Sequence, residues 1–386
     1  MSSLRIFLRV SILTAALGLS LHAAAQPAAQ PPKDAPLPRD EVTRIVAQTR
    51  KIVSPNGIEA LVPVQINGAT QWLSIRGRDR RNPILLFLHG GPGSPTLPVA
   101  YTFQSPWEDY FTVVQWDQRG TGKTYAANDA KALEPTMNPA QMSADAEQVI
   151  SYLRQQYGKK KIFLLGHSWG SVLGVTMAQR HPDWFYAYLG VGQVVNVRKE
   201  EAIGYRYALD QARAAGNAAA VKELEALAPY PGDGPIELAR ISTERKWVTT
   251  YGGLTFGRSD FDYDVDARLL SPDYSRAEID ATGAGGLYSI QHLIAAASSV
   301  DFDATTDFKC PVFLFEGRHD YTVPAELAAA WFQQLHAPLK RLVWFDDSAH
   351  MIMQEEPGRF LQHLVTDLRP LAAAAGDTAP DEEVVN

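Results

Sequence analysis

The chain has 386 residues, enough for one large domain or for a domain with a sizeable insertion. Hydrophobic residues make up 46% and charged residues 20%, a composition that is typical of soluble globular proteins and excludes a largely disordered chain. The net charge of −7 gives no electrostatic footprint for nucleic acid, and the one cysteine, Cys310, excludes an intramolecular disulfide.

The N-terminus has the three parts of a secretory signal peptide. Arg5 and Arg9 precede an apolar run from Val10 to Leu21, and Ala23-Ala24-Ala25 follows as a cleavage site. The apolar run is short of the roughly 20 residues that a transmembrane helix needs. We therefore predict a signal peptide over residues 1–25 and a protein that is periplasmic or secreted, with no stable membrane anchor.

The first elements of the mature chain are a tether and a hairpin. Residues 26–39 are rich in proline and alanine, which predicts an extended tether. Between Val53 and Gly77 two alternating runs flank Asn67-Gly68, a pair that favours a type I′ turn because both residues tolerate positive φ.

Continuous apolar runs then alternate with amphipathic helical patterns. Such runs indicate strands that are covered on both faces, and the alternation predicts a mostly parallel sheet flanked by helices, an α/β fold. The predicted core spans residues 40–195 and 300–375, and residues 376–386 are predicted to be a disordered tail. The runs read as strands are 83–89, 111–116, 161–165, 185–195, 311–316 and 339–345.

Residues 196–299 lack that alternation and are predicted to form a helical cap inserted into the core. The segment includes an alanine-rich helical piece at 208–227 and several aromatic residues. Aspartates alternate over 260–266, but the glycine and glutamate of a calcium loop are missing, so we interpret this stretch as a strand or loop with one polar face. We expect no metal and no cofactor.

The sequence Gly166-His167-Ser168-Trp169-Gly170 joins a predicted buried strand to a predicted helix. This Gly-x-Ser-x-Gly pattern in this context is typical of a strained turn that holds the serine hydroxyl above the sheet. We predict that Ser168 is a nucleophile, and that a Cβ at either flanking glycine would collide with neighbouring backbone. An ordinary strand–loop–helix connection is the alternative.

A serine nucleophile needs a base and a group that orients the base. His350 follows the strand at 339–345, and Asp320 follows the strand at 311–316, where ligands bind on a parallel sheet. Along the chain, Ser168, Asp320 and His350 also follow the Ser…Asp…His order that is typical of a nucleophile on such a strand–turn–helix connection. Three other carboxyls near in sequence compete with Asp320 as the acid, namely Glu316, Asp346 and Asp347.

The oxyanion of an acyl-transfer intermediate needs preorganised donors. The amide of Trp169 directly follows the nucleophile, and the loop His89-Gly90-Gly91-Pro92-Gly93 is rich in glycine. We predict the amides of Gly91 and Trp169 as the two donors.

Four segments of the chain resemble the proline iminopeptidases among the α/β-hydrolases. They are His89–Gly93, Trp116–Lys123 (Trp-Asp-Gln-Arg-Gly-Thr-Gly-Lys), Gly166–Ser171 and Gly317–Asp320. The resemblance covers about residues 55–195 and 305–370. It implies the α/β-hydrolase fold, the same triad and oxyanion donors, and a helical cap over the site.

Iminopeptidases of this family hold the substrate ammonium group with cap carboxylates, and the resemblance leaves Glu200, Glu201 and Glu244 as candidates here. It implies an aminopeptidase that releases N-terminal residues from a short peptide or a similar small molecule. A carboxylesterase or lactonase with the same triad is the alternative, and a non-catalytic binding module is a third.

Overall fold

The computed structural model describes residues 36–380 of the protein. The predicted signal peptide lies outside that range, as do residues 26–35 of the predicted tether and 381–386 of the predicted tail. Helix α1 begins at Arg39, the last residue assigned to the tether. Eight strands then form one sheet: β1 Ile58–Ile66, β2 Ala69–Gly77, β3 Ile84–Leu88, β4 Thr112–Asp117, β5 Ile162–His167, β6 Phe185–Val191, β7 Val312–Gly317 and β8 Lys340–Phe345.

The sheet has the strand order β1-β2-β4-β3-β5-β6-β7-β8. Strand β2 pairs antiparallel with β1 and with β4, and all later pairs are parallel. The hairpin turns at Asn67 and Gly68, whose φ angles are 44° and 78°. This confirms both the predicted hairpin and the mostly parallel sheet.

The central strands β3, β4, β5 and β7 are buried along their whole length. Successive side chains of a strand point to opposite faces. Leu86, Leu164 and Leu314 accordingly belong to a core on one face, and Phe87 and Phe163 belong to a second core on the other. Burial on both faces explains why these strands are continuous apolar runs in the sequence.

Helices connect the strands and cover both faces of the sheet. Asn138 caps α4 through a 3.0 Å bond from the amide of Gln141, and Gly158, with a φ of 64°, follows its last turn. The α-helices of the core are α1 Arg39–Thr49, α2 Gly122–Ala126, α3 Ala130–Leu133, α4 Pro139–Gln156, α5 Trp169–Arg180, α11 Ala325–Gln334, α12 Ile352–Glu355, α13 Pro357–His363 and α14 Arg369–Ala373, with a π-helical turn at Leu364–Leu368.

Between β6 and β7 the chain forms five helices: α6 Val197–Ala214, α7 Ala218–Glu225, α8 Leu238–Thr250, α9 Asp262–Leu269 and α10 Arg276–Ala297. The helical piece predicted at 208–227 is two helices, because Gly216 has a φ of 64° and Asn217 caps α7. We refer to α6–α10 and their connections as the cap.

The interpretation of residues 260–266 as a strand or loop is wrong, since α9 occupies Asp262–Leu269. An acid and a base four residues apart lie on the same face of a helix. Asp264 and Arg268 have that spacing, and their side chains pair at 2.6 Å. The alternation of aspartates concealed this helical pair.

Backbone hydrogen bonds attach the cap to the loops that follow β7 and β8. The carbonyl of Gly253 accepts from the amides of Tyr321 and Thr322, each at 3.1 Å, and the carbonyl of Leu254 accepts from the amide of His350 at 3.0 Å. Within residues 36–380, no helix is both long and apolar enough to cross a membrane.

Candidate active site

The turn between β5 and α5 holds Ser168 in a strained conformation, with φ 54° and ψ −127°. A Cβ on Gly166 would lie 2.6 Å from the carbonyl oxygen of Gly170, and one on Gly170 would lie 2.0 Å from that of Leu88. This confirms that neither flanking glycine tolerates a side chain. A hydrogen bond from the amide of Ser168 to the carbonyl of Val191, at 3.0 Å, helps to hold this strained conformation.

The imidazole of His350 is hydrogen-bonded to the carboxylate of Asp320, with 2.7 Å between Nδ1 and Oδ2. The other oxygen of Asp320 accepts from the amides of Thr322 and Val323 at 2.9 and 2.8 Å. The carboxylate is therefore fully engaged and fixed in orientation. It holds the proton of His350 on Nδ1, which leaves Nε2 as the acceptor.

The other carboxyls considered as the acid lie elsewhere. Glu316 is fully buried, and its Oε1 accepts from the amide of Gln193 at 3.2 Å. Burial raises the pKa of Glu316 well above its ordinary value, and the nearby charge of Asp320 raises it further. Asp346 and Asp347 are exposed, and Asp346 pairs with Arg318. Among the four candidates, Asp320 is the one that bonds to the His350 ring.

Ser168 and His350 line the same cavity, which has a volume of about 740 Å³. The side chain of Ser168 makes no hydrogen bond to the imidazole within residues 36–380. Serine–histidine contacts in unliganded enzymes are often long and tighten when substrate binds. The serine and the histidine thus meet at one cavity from two loops, and the aspartate on a third loop bonds to the histidine ring behind the cavity wall.

The two predicted oxyanion donors line this cavity as well. Gly91 has a φ of 119°, and Trp169 is the first residue of α5. Neither backbone amide donates to an acceptor in the described part of the chain. Two free amides beside a serine hydroxyl form a suitable site for an oxygen that becomes negative during acyl transfer.

The wall of the cavity is mostly apolar and comes from both the core and the cap. Such a wall with a few polar groups is typical of small-molecule sites. Its apolar members include Pro92, Val99, Phe103, Val194, Val197, Leu238, Ile241, Leu254, Phe261, Ile290, Ile294, Val323, Met351 and Met353.

Glu200 is the first of the cap carboxyls in the cavity wall. Its Oε1 accepts from the amides of Val195 and Asn196 at 2.6 and 3.1 Å, while its Oε2 has no partner among the described residues. Burial raises the pKa of Glu200 to about 7. The free oxygen can therefore present a negative charge to the cavity near neutral pH.

Glu201 also lines the cavity, but both of its oxygens are occupied. Oε1 accepts from Arg245 at 2.7 Å, and Oε2 accepts from the hydroxyl of Tyr230. Arg245 also donates to the carbonyl of Thr322 at 2.8 Å, which links this cluster to the loop of Asp320. Sequence reasoning missed Arg245, because no local pattern signals a partner 44 positions away.

Glu244 is fully buried and is not part of the cavity wall. Neither of its oxygens accepts a hydrogen bond within the described residues, and Arg245 approaches only to 3.7 Å. Burial outweighs that attraction and raises the pKa of Glu244 to about 8. Among the three predicted cap carboxyls, Glu200 alone offers an unpaired oxygen to the cavity.

Comparison with known proteins identifies the family of the fold. Residues 83–357 match the family described as the alpha/beta hydrolase fold. The protein belongs to the alpha/beta hydrolase fold family.

Its relatives in sequence include a probable aminopeptidase, and solved structures share its fold. It is 33% identical to a probable aminopeptidase, YbaC, of Bacillus subtilis over 81% of this chain and 97% of that protein. It is 24% identical to a probable proline iminopeptidase of Leptolyngbya boryana over 72% of this chain and 84% of that protein. The crystal structure of a proline iminopeptidase-related protein from Thermus thermophilus superposes with a TM-score of 0.57 and 19% identity, covering 82% of this chain and 98% of that chain.

Proposed function

We propose that the protein is an exported serine hydrolase that releases N-terminal residues from short peptides through an acyl-enzyme. The observation that carries the proposal is the hydrogen bond between His350 and Asp320, because the His350 imidazole lines the same cavity as Ser168. The similarity to a probable aminopeptidase over most of both chains supports the substrate class.

We propose the following roles, which the geometry supports. The hydroxyl of Ser168 attacks the substrate carbonyl while Nε2 of His350 takes its proton and later returns it to the leaving amine. Asp320 keeps the imidazole in the required tautomer and stabilises the imidazolium. The amides of Gly91 and Trp169 stabilise the tetrahedral oxygen, and water then hydrolyses the acyl-enzyme.

Glu200 supplies the group that distinguishes an amine-bearing substrate. Glu200 lines the cavity and its Oε2 has no partner among the described residues, so an ammonium group bound there would balance the charge of a buried carboxylate. Glu201 contributes less to binding an ammonium group, because Arg245 already neutralises its charge.

A serine substitution tests the chemistry. Ser168→Ala is expected to fold normally and to lose nearly all turnover of aminoacyl anilides, because the nucleophile is removed. Ser242→Ala is the matched control, since Ser242 lines the same cavity on α8 and has no role in the mechanism. Wild-type turnover by Ser168→Ala contradicts the proposal.

A carboxylesterase or lactonase is the second candidate, and the apolar wall of the cavity favours it. The two candidates share the triad and differ in the acyl group they accept. Proline and other aminoacyl anilides are compared with short and long acyl esters. Strong ester cleavage beside negligible anilide cleavage selects the esterase.

Export rests on the leader pattern of residues 1–25. Expression of the full chain in a Gram-negative host, followed by fractionation and intact-mass measurement, is expected to give a periplasmic or secreted protein that begins at Gln26. An uncleaved chain in the cytosolic fraction contradicts export without affecting the catalytic proposal.

A further inference from the structure

His167 precedes the nucleophile and contacts the base. Its Nε2 lies 3.0 Å from the backbone carbonyl oxygen of His350. The two imidazole rings are 4.7 Å apart between centroids, at an interplanar angle of 39°. A carbonyl oxygen only accepts hydrogen bonds, so Nε2 of His167 carries the proton and donates it.

This bond joins two loops that the chain separates by 183 positions. One end is the serine turn, where Ser168 is covalently next to His167. The other end is the loop that carries His350. The hydrogen bond thus connects the two loops that carry Ser168 and His350, the residues between which the proton would pass.

His350 makes two further hydrogen bonds among the described residues, and neither connects it to Ser168. Its amide donates to the carbonyl of Leu254 in the cap, and its Nδ1 bonds to Asp320 on the loop after β7. Neither attachment involves the serine turn. Among the described residues, His167 is the one whose side chain hydrogen-bonds directly from that turn to His350.

We propose that His167 is a positioning residue that fixes the distance between the Ser168 hydroxyl and the His350 imidazole. The inference rests on the proposed function, since it assigns His167 a role in the same proton transfer. His167 itself does not exchange protons with substrate.

The surroundings of His167 suit a neutral donor. The ring is buried, and it meets the edge of Phe87 with centroids 6.5 Å apart. Burial lowers the pKa of His167 to about 3, and the neighbouring His350 lowers it further. A neutral ring keeps Nε2 as the donor and adds no repulsion when His350 becomes an imidazolium.

Three variants test this role. His167→Phe keeps a ring but removes the donor, and we expect kcat to fall about 10- to 100-fold with KM changed less than about threefold, the cost of a misplaced catalytic pair. His167→Gln places an amide N–H near the position of Nε2, so kcat is expected to stay within about threefold of wild type. His336→Phe is the control, because the His336 ring is exposed and lies outside the cavity, and it should leave kcat unchanged.

The rate at which a fluorophosphonate labels Ser168 provides a second readout, because it reports activation of the serine without the substrate pocket. We expect this rate to fall in parallel with kcat in His167→Phe and to recover in His167→Gln. If His167→Phe does not fold, His167→Leu, which also lacks a donor, is measured with the same expectation.

Two results overturn the inference. One is a kcat within about twofold of wild type for the donor-free variant, and the other is an equal loss in His167→Gln and His167→Phe at unchanged Tm. Ser168→Ala is measured alongside. If it is inactive while His167→Phe is unimpaired, only this inference fails, whereas an active Ser168→Ala removes the proposed function itself.

Discussion

Gly192 lies directly beneath the imidazole of His350. A Cβ on Gly192 would sit 2.9 Å from both Cε1 and Nδ1 of the ring, and 3.3 Å from Oδ2 of Asp320. The glycine also has a φ of 52°, which disfavours other residues. The ring and its aspartate therefore rest on backbone that has room for no side chain.

Gly192→Ala is expected to displace the imidazole and to lower kcat about 100-fold, because a shift of about 1 Å in a catalytic group has such an effect. Gly158→Ala is the matched control. It also has positive φ, but a Cβ there meets nothing within 4 Å. The control should cost about 1–2 kcal/mol of stability and leave kcat unchanged. Equal kcat values for the two variants would contradict the role of Gly192.

Asp320→Asn is expected to lower kcat by on the order of 10⁴-fold, since an amide no longer enforces the tautomer that leaves Nε2 free. Asp346→Asn removes an exposed carboxylate nearby and should be neutral. Steady-state kinetics with an anilide or an ester measure both. If Asp320→Asn stays within tenfold of wild type while Glu316→Gln does not, the acid has been misassigned.

Glu200→Gln is expected to reduce kcat/KM about 10- to 100-fold for aminoacyl anilides, the value of a hydrogen bond to a charged group, and to leave neutral esters unaffected. The raised pKa of about 7 adds a pH dependence. The carboxylate is ionised above that value and becomes protonated as the pH falls.

With the anilide concentration counted as its ammonium form, the ratio of anilide to ester kcat/KM in wild type should therefore fall about tenfold from pH 8 to pH 6, because a carboxyl with that pKa is about one-tenth ionised at pH 6. Taking the ratio cancels the titration of groups common to both substrates. In Glu200→Gln the ratio should not vary with pH. A wild-type ratio that is flat over this range would separate Glu200 from substrate recognition.

We expect Glu244 to affect stability rather than substrate binding, because it is fully buried outside the cavity wall. Its pKa is raised in the folded state, so the native protein retains a proton that the unfolded chain has already released. The resulting stabilisation is present at low pH and is lost as the pH rises through about 8. Glu244→Gln cannot ionise and should lose this dependence.

We expect the fall in Tm between pH 7 and pH 9 to be roughly 2–4 °C smaller in Glu244→Gln than in wild type. Glu225→Gln, on the exposed end of α7 and paired with Arg213, serves as the control and should follow wild type. Identical Tm–pH curves for wild type and Glu244→Gln would show that the carboxyl stays ionised throughout.

Much of the core could be predicted because single patterns determine it. Burial on both faces produces the apolar runs of β3 and β5, and the serine turn has a fixed spacing of glycines. Helix α1 was missed because its apolar stripe is only Val42, Ile45 and Val46, next to a proline-rich segment, and none of its residues is buried. The break at Gly216 was hidden because alanine favours a helix on both sides of it.

The cap carboxyls illustrate what local patterns do not contain. Glu200 and Glu201 are adjacent in sequence, yet one bonds to backbone amides and keeps a free oxygen, and the other is occupied by Arg245 and Tyr230. Arg245 and Tyr230 come from other parts of the cap. Both acids line the cavity, and only tertiary packing decides which of them keeps a free oxygen.

The hydrogen bond from the His350 amide to the carbonyl of Leu254 attaches the cap to the residue that we propose as the base. Movement of the cap away from the core would break this bond and those of Gly253, and the loop that holds the imidazole would lose one of its supports. If Ser168 and His350 act as we propose, opening of the cap would remove a support of the base, so the serine would be fully activated only while the cap covers the cavity.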